Sequence, residues 1–233
     1  MARALADAGC DAVYSYAGRT AGPAVPPLPC RVGGFGGAEG LAAWLRAEAV
    51  HAVIDATHPF AAQISTNAIA ACAQAGVPLI ALERAPWQQQ PGDDWTPVPD
   101  IAAAVAALPD PPARVFLAIG RQNLAAFAAH PQHRYLLRLV DPPAGGLPVP
   151  GATVVVDRGP FTAEGDLDLM QREGVQIVVA KNAGGAGAVA KIEAARRLGL
   201  RVIMIARPAL PARRTACTVE DVMRWLHGAD LGL

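Results

Sequence analysis

The residues best suited to chemistry in this 233-residue chain stand at the ends of apolar runs. In "AVIDATHPFA" (52–61) an apolar run stops at Asp55, and Thr57, His58, Pro59 and Phe60 follow before an alanine-rich stretch. A carboxylate, a hydroxyl and an imidazole this close together can bind a polar ligand or move a proton. In "VVAKNAGGAGAVAK" (178–191) a second apolar run stops at Lys181, and Asn182, Gly184 and Gly185 lead into a helical pattern. A lysine charge beside free glycine N–H groups at a helix start suits a carboxylate or a phosphate. This turn lacks the G-K-[ST] ending of a phosphate loop. Arg19 with Thr20, Arg84, Arg121, Arg158 and Arg207 stand at similar strand-end turns. Together these residues predict a basic rim suited to an anionic ligand. "GGFGG" (33–37), with Gly33, Gly34, Phe35 and Gly36, permits close approach of the backbone to a ligand. It is not G-x-G-x-x-G after a first strand, so as a dinucleotide signal it is weak.

A parallel sheet with crossover helices is the element pattern that would bring these turns to one edge. Residues 2–8 read as the end of a helix closed by Gly9, and 11–16 ("DAVYSY") as a strand. Residues 38–48 place Leu41, Trp44 and Leu45 on one helical face. A strand at 52–56, a helix at 59–75 carrying Ile64, Ala68, Cys72 and Ala75 at helical spacing, Gly76 and a strand at 77–82 complete the first half. Strand and helix in alternation predict an α/β fold with a parallel sheet. Such a domain normally opens with a strand, whereas this sequence opens inside a helix, so the first strand of the N-terminal domain is expected to be missing. Pro59 fits the first turn of a helix and forces His58 to be extended. Thr57 and His58 are therefore expected at a helix N-terminus facing a crevice. A helix cap at Thr57 with an ordinary surface histidine is the plainer alternative.

Residues 85–99 are polar and proline-rich and read as the crossing into a second domain. The boundary is placed between 97 and 98, giving domains of 1–97 and 98–233. In the second, 114–119, 135–140, 152–157, 175–180 and 201–206 are strand candidates, and 164–173, 187–198 and about 218–227 are helical. Thr218 with Asp221 makes an N-terminal cap for the last helix. The two halves echo each other: strand, polar loop, helix, Gly76, strand, Arg84 against strand, polar loop, helix, Gly199, strand, Arg207. Duplication or the common look of any two such units would produce this.

Composition sets the outer limits. Apolar residues are 52% of the chain, enough for a full core, and the formal net charge is zero. No global field points to nucleic acid or a membrane surface. Of the 20 basic residues only Lys181 and Lys191 are lysines. Cys10, Cys30, Cys72 and Cys217 form no C-x-x-C, so a reduced, cytoplasmic setting is expected and neither a disulfide framework nor a zinc site. No apolar run has the length of a membrane helix, and the N-terminus has no signal-peptide pattern. His130 and His133 in "HPQHR" read as a solvated loop, not a metal pair. Arg19, just past a strand, stands where such domains read the adenosine ribose and can accept a 2′-phosphate, which favours NADPH; an ordinary loop arginine is the alternative.

Several of these motifs, in order, resemble the precorrin-6A reductase family and its cobalt-precorrin counterpart. They are "DATHPFA" (55–61), Ser65 with Asn67 and Ala68, "ERAPW" (83–87), "DRGPF" (157–161) and "KNAGG" with "AKIEAAR" (181–196). "AGRT" (17–20) and "VGGFGGAEGL" (32–41) match as well, so the resemblance covers nearly the whole chain. It implies two Rossmann-like parallel-sheet domains with the ligands in a cleft between them. It implies NADPH-dependent reduction of one double bond of a corrin precursor, precorrin-6A to precorrin-6B, in cobalamin biosynthesis. The substrate is then a polycarboxylate tetrapyrrole, exchanged with other enzymes of that pathway. Arg19, Thr20, Gly33 to Gly36 and Thr57 to Phe60 would face the cofactor. Arg121, Arg158, Lys181, Asn182, Gly184, Gly185 and Arg207 would face the macrocycle or its carboxylates. His58 is the candidate proton donor. The family opens with a strand and a G-G-T-x-E-type turn ahead of the helix ending at Gly9; this sequence has neither, so the usual pyrophosphate cradle is expected to be missing. A non-catalytic nucleotide- or tetrapyrrole-binding module on the same fold, and an unrelated NADPH reductase, are the competing readings.

Overall fold

The computed structural model describes residues 1–17, 25–140, 142–143, 145–149, 151–157 and 159–228. Arg19, Thr20 and Arg158 lie outside the described residues. The chain forms two compact units, Met1–Arg84 with Ala209–Leu233, and Ala85–Pro208.

The first unit begins with α1 (Ala2–Asp7), β1 (Tyr14–Tyr16), β2 (Cys30–Val32), α2 (Gly37–Ala47), β3 (Val53–Asp55), α3 (Ala62–Ala75) and β4 (Leu79–Leu82). The second holds β5 (Asp94–Val98), α4 (Ile101–Ala106), β6 (Arg114–Ala118), a 3-10 helix (Arg121–Ala129), β7 (Arg134–Leu139), β8 (Thr153–Val156), α5 (Ala163–Arg172), β9 (Ile177–Lys181), α6 (Ala190–Leu198) and β10 (Arg201–Ile205). The chain then returns to the first unit with β11 (Arg214–Ala216) and α7 (Val219–Gly228).

All described strand pairs are parallel. The second unit carries one six-stranded sheet in the order β5-β10-β9-β6-β7-β8. Counted from β6, with β5 taking the sixth place, this is the doubly wound order 3-2-1-4-5-6, and β6 and β9 flank the switch point where ligands bind. The first unit shows the same order in two pieces, a β1-β2 pair and a β11-β4-β3 sheet. These match places 2, 3 and 4, 5, 6, and among the described residues no strand takes the first place.

The boundary differs from the sequence expectation at 97/98. β5 lies in the segment read as a linker, yet its whole length pairs with β10, from Asp94↔Arg201 to Val98↔Ile205. β5 contains Pro97, which has no N–H and so tolerates only an edge position, and β5 is an edge strand. β11, expected in the second domain, pairs with β4 from Arg214↔Ile80 to Ala216↔Leu82. The first unit's sheet thus receives its last strand from beyond the second unit's sequence, while the second unit takes β5 from the segment just ahead of β6. With β11 comes α7, whose Val222 and Trp225 pack with Ile80 and Ala216 into a core bordered by Met1, Ile54 and Leu82.

Local signals account for the helix ends. α3 and α6 stop at Gly76 and Gly199, both left-handed (φ 69° and 62°), a conformation glycine adopts without a Cβ penalty. The hydroxyls of Thr162 and Thr218 accept the N–H groups of Gly165 and Asp221, each at 3.1 Å, and so cap α5 and α7. The second core is built from Phe116, Leu136, Val178 and Val202 of the sheet against Leu169, Met170 and Ile192 of α5 and α6. Near-continuous apolar strands are what a parallel sheet covered on both faces requires. No helix among the described residues is long and apolar enough to cross a membrane.

Candidate active site

In the first unit the polar knot of the sequence forms a tight turn at the end of β3. Asp55 is buried, 6% exposed. Its Oδ1 accepts the Thr57 N–H at 3.1 Å and the Thr57 Oγ–H at 2.7 Å, an aspartate-centred turn. Thr57 Oγ1 also lies 3.1 Å from Ser65 Oγ, in the first turn of α3. His58 Nδ1 accepts the Phe60 N–H at 3.2 Å, and the His58 and Phe60 rings sit 5.9 Å apart. The neutral imidazole therefore carries its hydrogen on Nε2.

The expected helix start at Pro59 is corrected by the structure. α3 begins at Ala62, with Ala61 at its N-terminal boundary and no side-chain cap. The His58 carbonyl accepts the Ala61 N–H at 2.7 Å, so residues 58–61 close a separate turn before the helix. Thr57 consequently bonds backward to Asp55 and does not cap the helix.

The glycine segment after β2 is bent through positive φ at Gly33, Gly36 and Gly37 (115°, 81° and 93°). No atom stands within 4 Å of a Cβ built on any of the three, so backbone conformation, and not crowding, calls for glycine. Arg31 holds the segment: its guanidinium donates to the carbonyls of Gly33 (2.7 Å) and Gly34 (2.9 Å) and lies 3.7 Å from the Phe35 ring centroid. The Gly33 N–H donates to Tyr16 O at 2.9 Å, joining the turn to the end of β1.

In the second unit Lys181 ends β9, one of the two strands at the switch point, and burial pushes its pKa down. The loop after it is clamped from both sides. The Asn182 side chain accepts the Trp87 N–H at 2.8 Å and donates to Trp87 O at 3.0 Å. The Trp87 indole donates to Gly185 O at 2.8 Å, and the Gly185 N–H to Ala85 O at 3.3 Å. A Cβ on Gly184 would lie 2.1 Å from Ala85 O and 2.5 Å from an Arg207 nitrogen, so this glycine is required by close approach as well as by its φ of 67°. Arg207 donates to the carbonyls of Asn182 (3.0 Å) and Ala183 (3.2 Å). Arg121 is exposed at the start of the 3-10 helix, behind Gly120 (φ 80°) and just past β6, the other switch-point strand.

A second basic group stands beside this loop. Lys191, in the first turn of α6, donates to Ala188 O at 2.6 Å and lies 4.9 Å from the Trp87 ring centroid. Burial pushes its pKa down to about 8, with Asp166 opposing and Arg138 adding to the shift. Arg138 and Asp166 form an ion pair in which both side chains are buried. The Arg138 guanidinium carbon stacks 4.2 Å from the Phe161 centroid. His133, expected in a solvated loop, is buried instead at 5% exposure, with Nδ1 accepting the Ala113 N–H at 3.1 Å. A cavity of about 560 Å³ lies apart from these turns, on β11 and α7, and includes Ile80, Arg214, Cys217 and Trp225 in its wall.

Arg31, Ser65, Trp87, Arg138, Asp166 and Lys191 were not among the sequence candidates. One available signal was that Lys191 is a lysine in a chain that otherwise uses arginine almost throughout. The partners of Trp87 and Arg138 lie far away in sequence and gave no local signal.

Parallel sheets in doubly wound order, with glycine turns and charged residues past the strand ends, define a Rossmann-like α/β protein of the ligand-binding type. A family model described as "Precorrin-6x reductase CbiJ/CobK" matches residues 1–227, and the chain belongs to that family. It is 64% identical over 231 residues to a precorrin-6A reductase of Rhodobacter capsulatus, a match spanning 98% of this chain and 92% of the relative. A precorrin-6A reductase of Rhodococcus erythropolis is 45% identical over 228 residues, 97% of this chain and 92% of the relative. A cobalt-precorrin-6A reductase of Priestia megaterium is 33% identical over 201 residues, 81% and 77%. A solved structure titled "CobK precorrin-6A reductase" aligns at a TM-score of 0.94 and 64% identity, covering 99% of this chain and 91% of that one.

Proposed function

We propose that this protein reduces precorrin-6A in cobalamin biosynthesis, with NADPH as reductant. The observation carrying the reading is the match to a precorrin-6A reductase at 64% identity over 98% of the chain. The metal-free substrate is favoured over the cobalt form because relatives bearing the metal-free name reach 64% and 45% identity, against 33% for the cobalt-precorrin relative.

The first unit is assigned to the cofactor. Its donor set fits a nicotinamide dinucleotide: a glycine turn with open space at every Cβ position, an aromatic ring at Phe35, and a polar turn at Thr57–Phe60. When bound, NADPH supplies the hydride. Gly33, Gly34 and Gly36 give backbone approach, and Thr57 to Phe60 present polar and aromatic groups past β3. Arg19 and Thr20 are assigned to the ribose end on sequence position alone. His58 is the proposed donor of the proton that reduction of a carbon–carbon double bond also requires, acting as the imidazolium with Nδ1 protonated in place of its bond from the Phe60 N–H.

The second unit is assigned to the polycarboxylate macrocycle. Lys181 and Arg121, at the switch point, and Arg158 supply charge for its carboxylates. Asn182, Gly184, Gly185 and Arg207 serve by holding the loop that carries Lys181, as their hydrogen bonds and close contacts indicate.

The test is oxidation of NADPH by the purified protein with precorrin-6A, cobalt-precorrin-6A and a simple enone in parallel. Turnover with precorrin-6A above the other two is expected. Turnover with the enone alone would make it a different reductase, and NADPH binding without turnover on any of the three would make it a binding module.

A further inference from the structure

The Asp55 carboxylate has no role in the reading above, yet it is buried at the end of a strand. A buried charge is costly unless hydrogen-bonded. Both of its bonds from described residues come from Thr57, two positions away, and both reach the same oxygen. Oδ2 has no donor among the described residues. These bonds therefore shape one turn and do not tie distant parts of the fold together.

The donors can be ordered. Asp55 Oδ1 accepts from the Thr57 hydroxyl, so that hydroxyl's proton points to it. Thr57 Oγ1 then has only lone pairs to offer Ser65, 3.1 Å away, and Ser65 must donate. Ser65 is itself buried, at 3% exposure. The relay Ser65 to Thr57 to Asp55 joins the first turn of α3 to the end of β3. His58, Pro59 and Phe60 lie between those two tied points.

We propose that Asp55, with Ser65, is a positioning residue that holds the Thr57–Phe60 turn in the shape that receives the nicotinamide nucleotide. This rests on the assignment of that turn to the cofactor. An asparagine in the same place retains an acceptor and supports the same kind of turn, so shape and not charge is what the site needs.

NADPH is titrated by fluorescence against the full chain and its variants, with amide hydrogen exchange at Thr57 and Phe60 measured in parallel. Asp55→Ala should weaken NADPH binding about tenfold and speed exchange at both amides, while Asp55→Asn should stay within about threefold. Ser65→Ala, a milder change should Asp55→Ala fold poorly, should shift both readouts in the same direction by less. Leu45→Ala, a core truncation in α2, should lower thermal stability without moving the NADPH Kd. If Asp55→Ala leaves the Kd and the exchange unchanged while His58→Ala and Phe60→Ala weaken NADPH, the positioning role is wrong and the cofactor assignment stands. If His58→Ala and Phe60→Ala also leave the Kd unchanged, the cofactor assignment fails and takes the proposal with it. An Asp55→Asn variant as weak as Asp55→Ala would replace positioning by a requirement for the charge.

Discussion

The loops after β3 and β9 occupy the same place in their respective units, past the fourth strand of the doubly wound order, and they are held in opposite ways. The β3 loop is held locally: Asp55 binds Thr57, His58 binds Phe60, and Ser65 is only eight residues from Thr57. The β9 loop is held from a distance: the bonds from Asn182 and Gly185 to Trp87 span 95 and 98 residues. Short-range bonds form within a turn as soon as the chain bends, and they cost little chain entropy. Long-range bonds exist only once the sheet has brought the strap at 85–87 against the loop. The first loop is therefore expected to tolerate substitutions that keep a single acceptor, and the second to fail when either partner surface changes.

Gly184→Ala should have the largest effect. The added methyl would meet the Ala85 carbonyl oxygen 2.1 Å away, a backbone atom, and would sit at positive φ. A loss of about 3 kcal/mol or more in unfolding free energy is expected, from overpacking and left-handed strain together. Chemical denaturation measures it, and a loss under about 1 kcal/mol would mean that the strap is not seated against the loop.

Asn182→Asp comes next. It keeps the acceptor for the Trp87 N–H but replaces the donor to Trp87 O with a carboxylate oxygen. A cost of roughly 2–3 kcal/mol is expected, since a paired carbonyl becomes an unpaired one facing a charge. The contrast with Asp55→Asn is direct: the amide–acid exchange should be damaging in the β9 loop and mild in the β3 loop. Equal effects would remove the distinction between the two.

Lys191→Met probes the strap's charged neighbour. Burial lowers the Lys191 pKa from its ordinary 10.5 to about 8, so below pH 8 the folded state carries a charge it disfavours. Between pH 8 and 10.5 the folded form binds fewer protons than the unfolded one, and wild-type stability should rise with pH relative to the variant. At neutral pH the variant should be more stable by about 1–2 kcal/mol, the relief of burial being offset in part by the lost bond to Ala188 O. Thermal melts of both proteins at pH 7 and pH 10 check the sign; a gap that does not narrow with rising pH would place the ammonium in a more solvated setting.

Gly36→Ala should have a much smaller effect than Gly184→Ala. Gly36 has φ 81° but no neighbour within 4 Å of its Cβ position. Only the cost of a left-handed alanine, about 1–2 kcal/mol, is expected. Set beside Gly184→Ala, it separates glycine required by backbone conformation from glycine required by close approach. Equal losses in the two melts would show that the first turn is crowded too.

The same division between local and distant causes decides how far the sequence could be read. The apolar run at 52–54, the helical spacing of Ala68, Cys72 and Ala75, and the stop at Gly76 foretold β3, α3 and the end of that helix. Thr218 with Asp221 foretold the cap of α7. β5 was missed because "DWTPV" looks like linker, and only pairing with β10 makes it a strand. β11 was missed for the same reason: three residues, Arg214–Ala216, carry no period of their own until β4 accepts them. Pro59 misplaced the start of α3, because proline fits a turn before a helix as well as a first helical turn. His133 was read as solvated because its neighbours are polar, whereas Tyr135 and the Ala113 N–H enclose it.

By itself the sequence determined the alternation of strand and helix, the parallel sheets, the strand-end turns at Asp55–Phe60 and Lys181–Gly185, and the family resemblance. Each of these rests on residues within a few positions of one another, where periodicity, glycine conformation and short-range hydrogen bonds act. Only the tertiary structure decided that β5 takes the edge of the second unit's sheet and that β11 completes the first unit's sheet from beyond the second unit's sequence. It alone brought Trp87 to Asn182 and Gly185, and set Lys191 beside the buried Arg138–Asp166 pair. Those arrangements are energetic outcomes of packing between segments about 25 to 130 residues apart, where no local pattern constrains the partner.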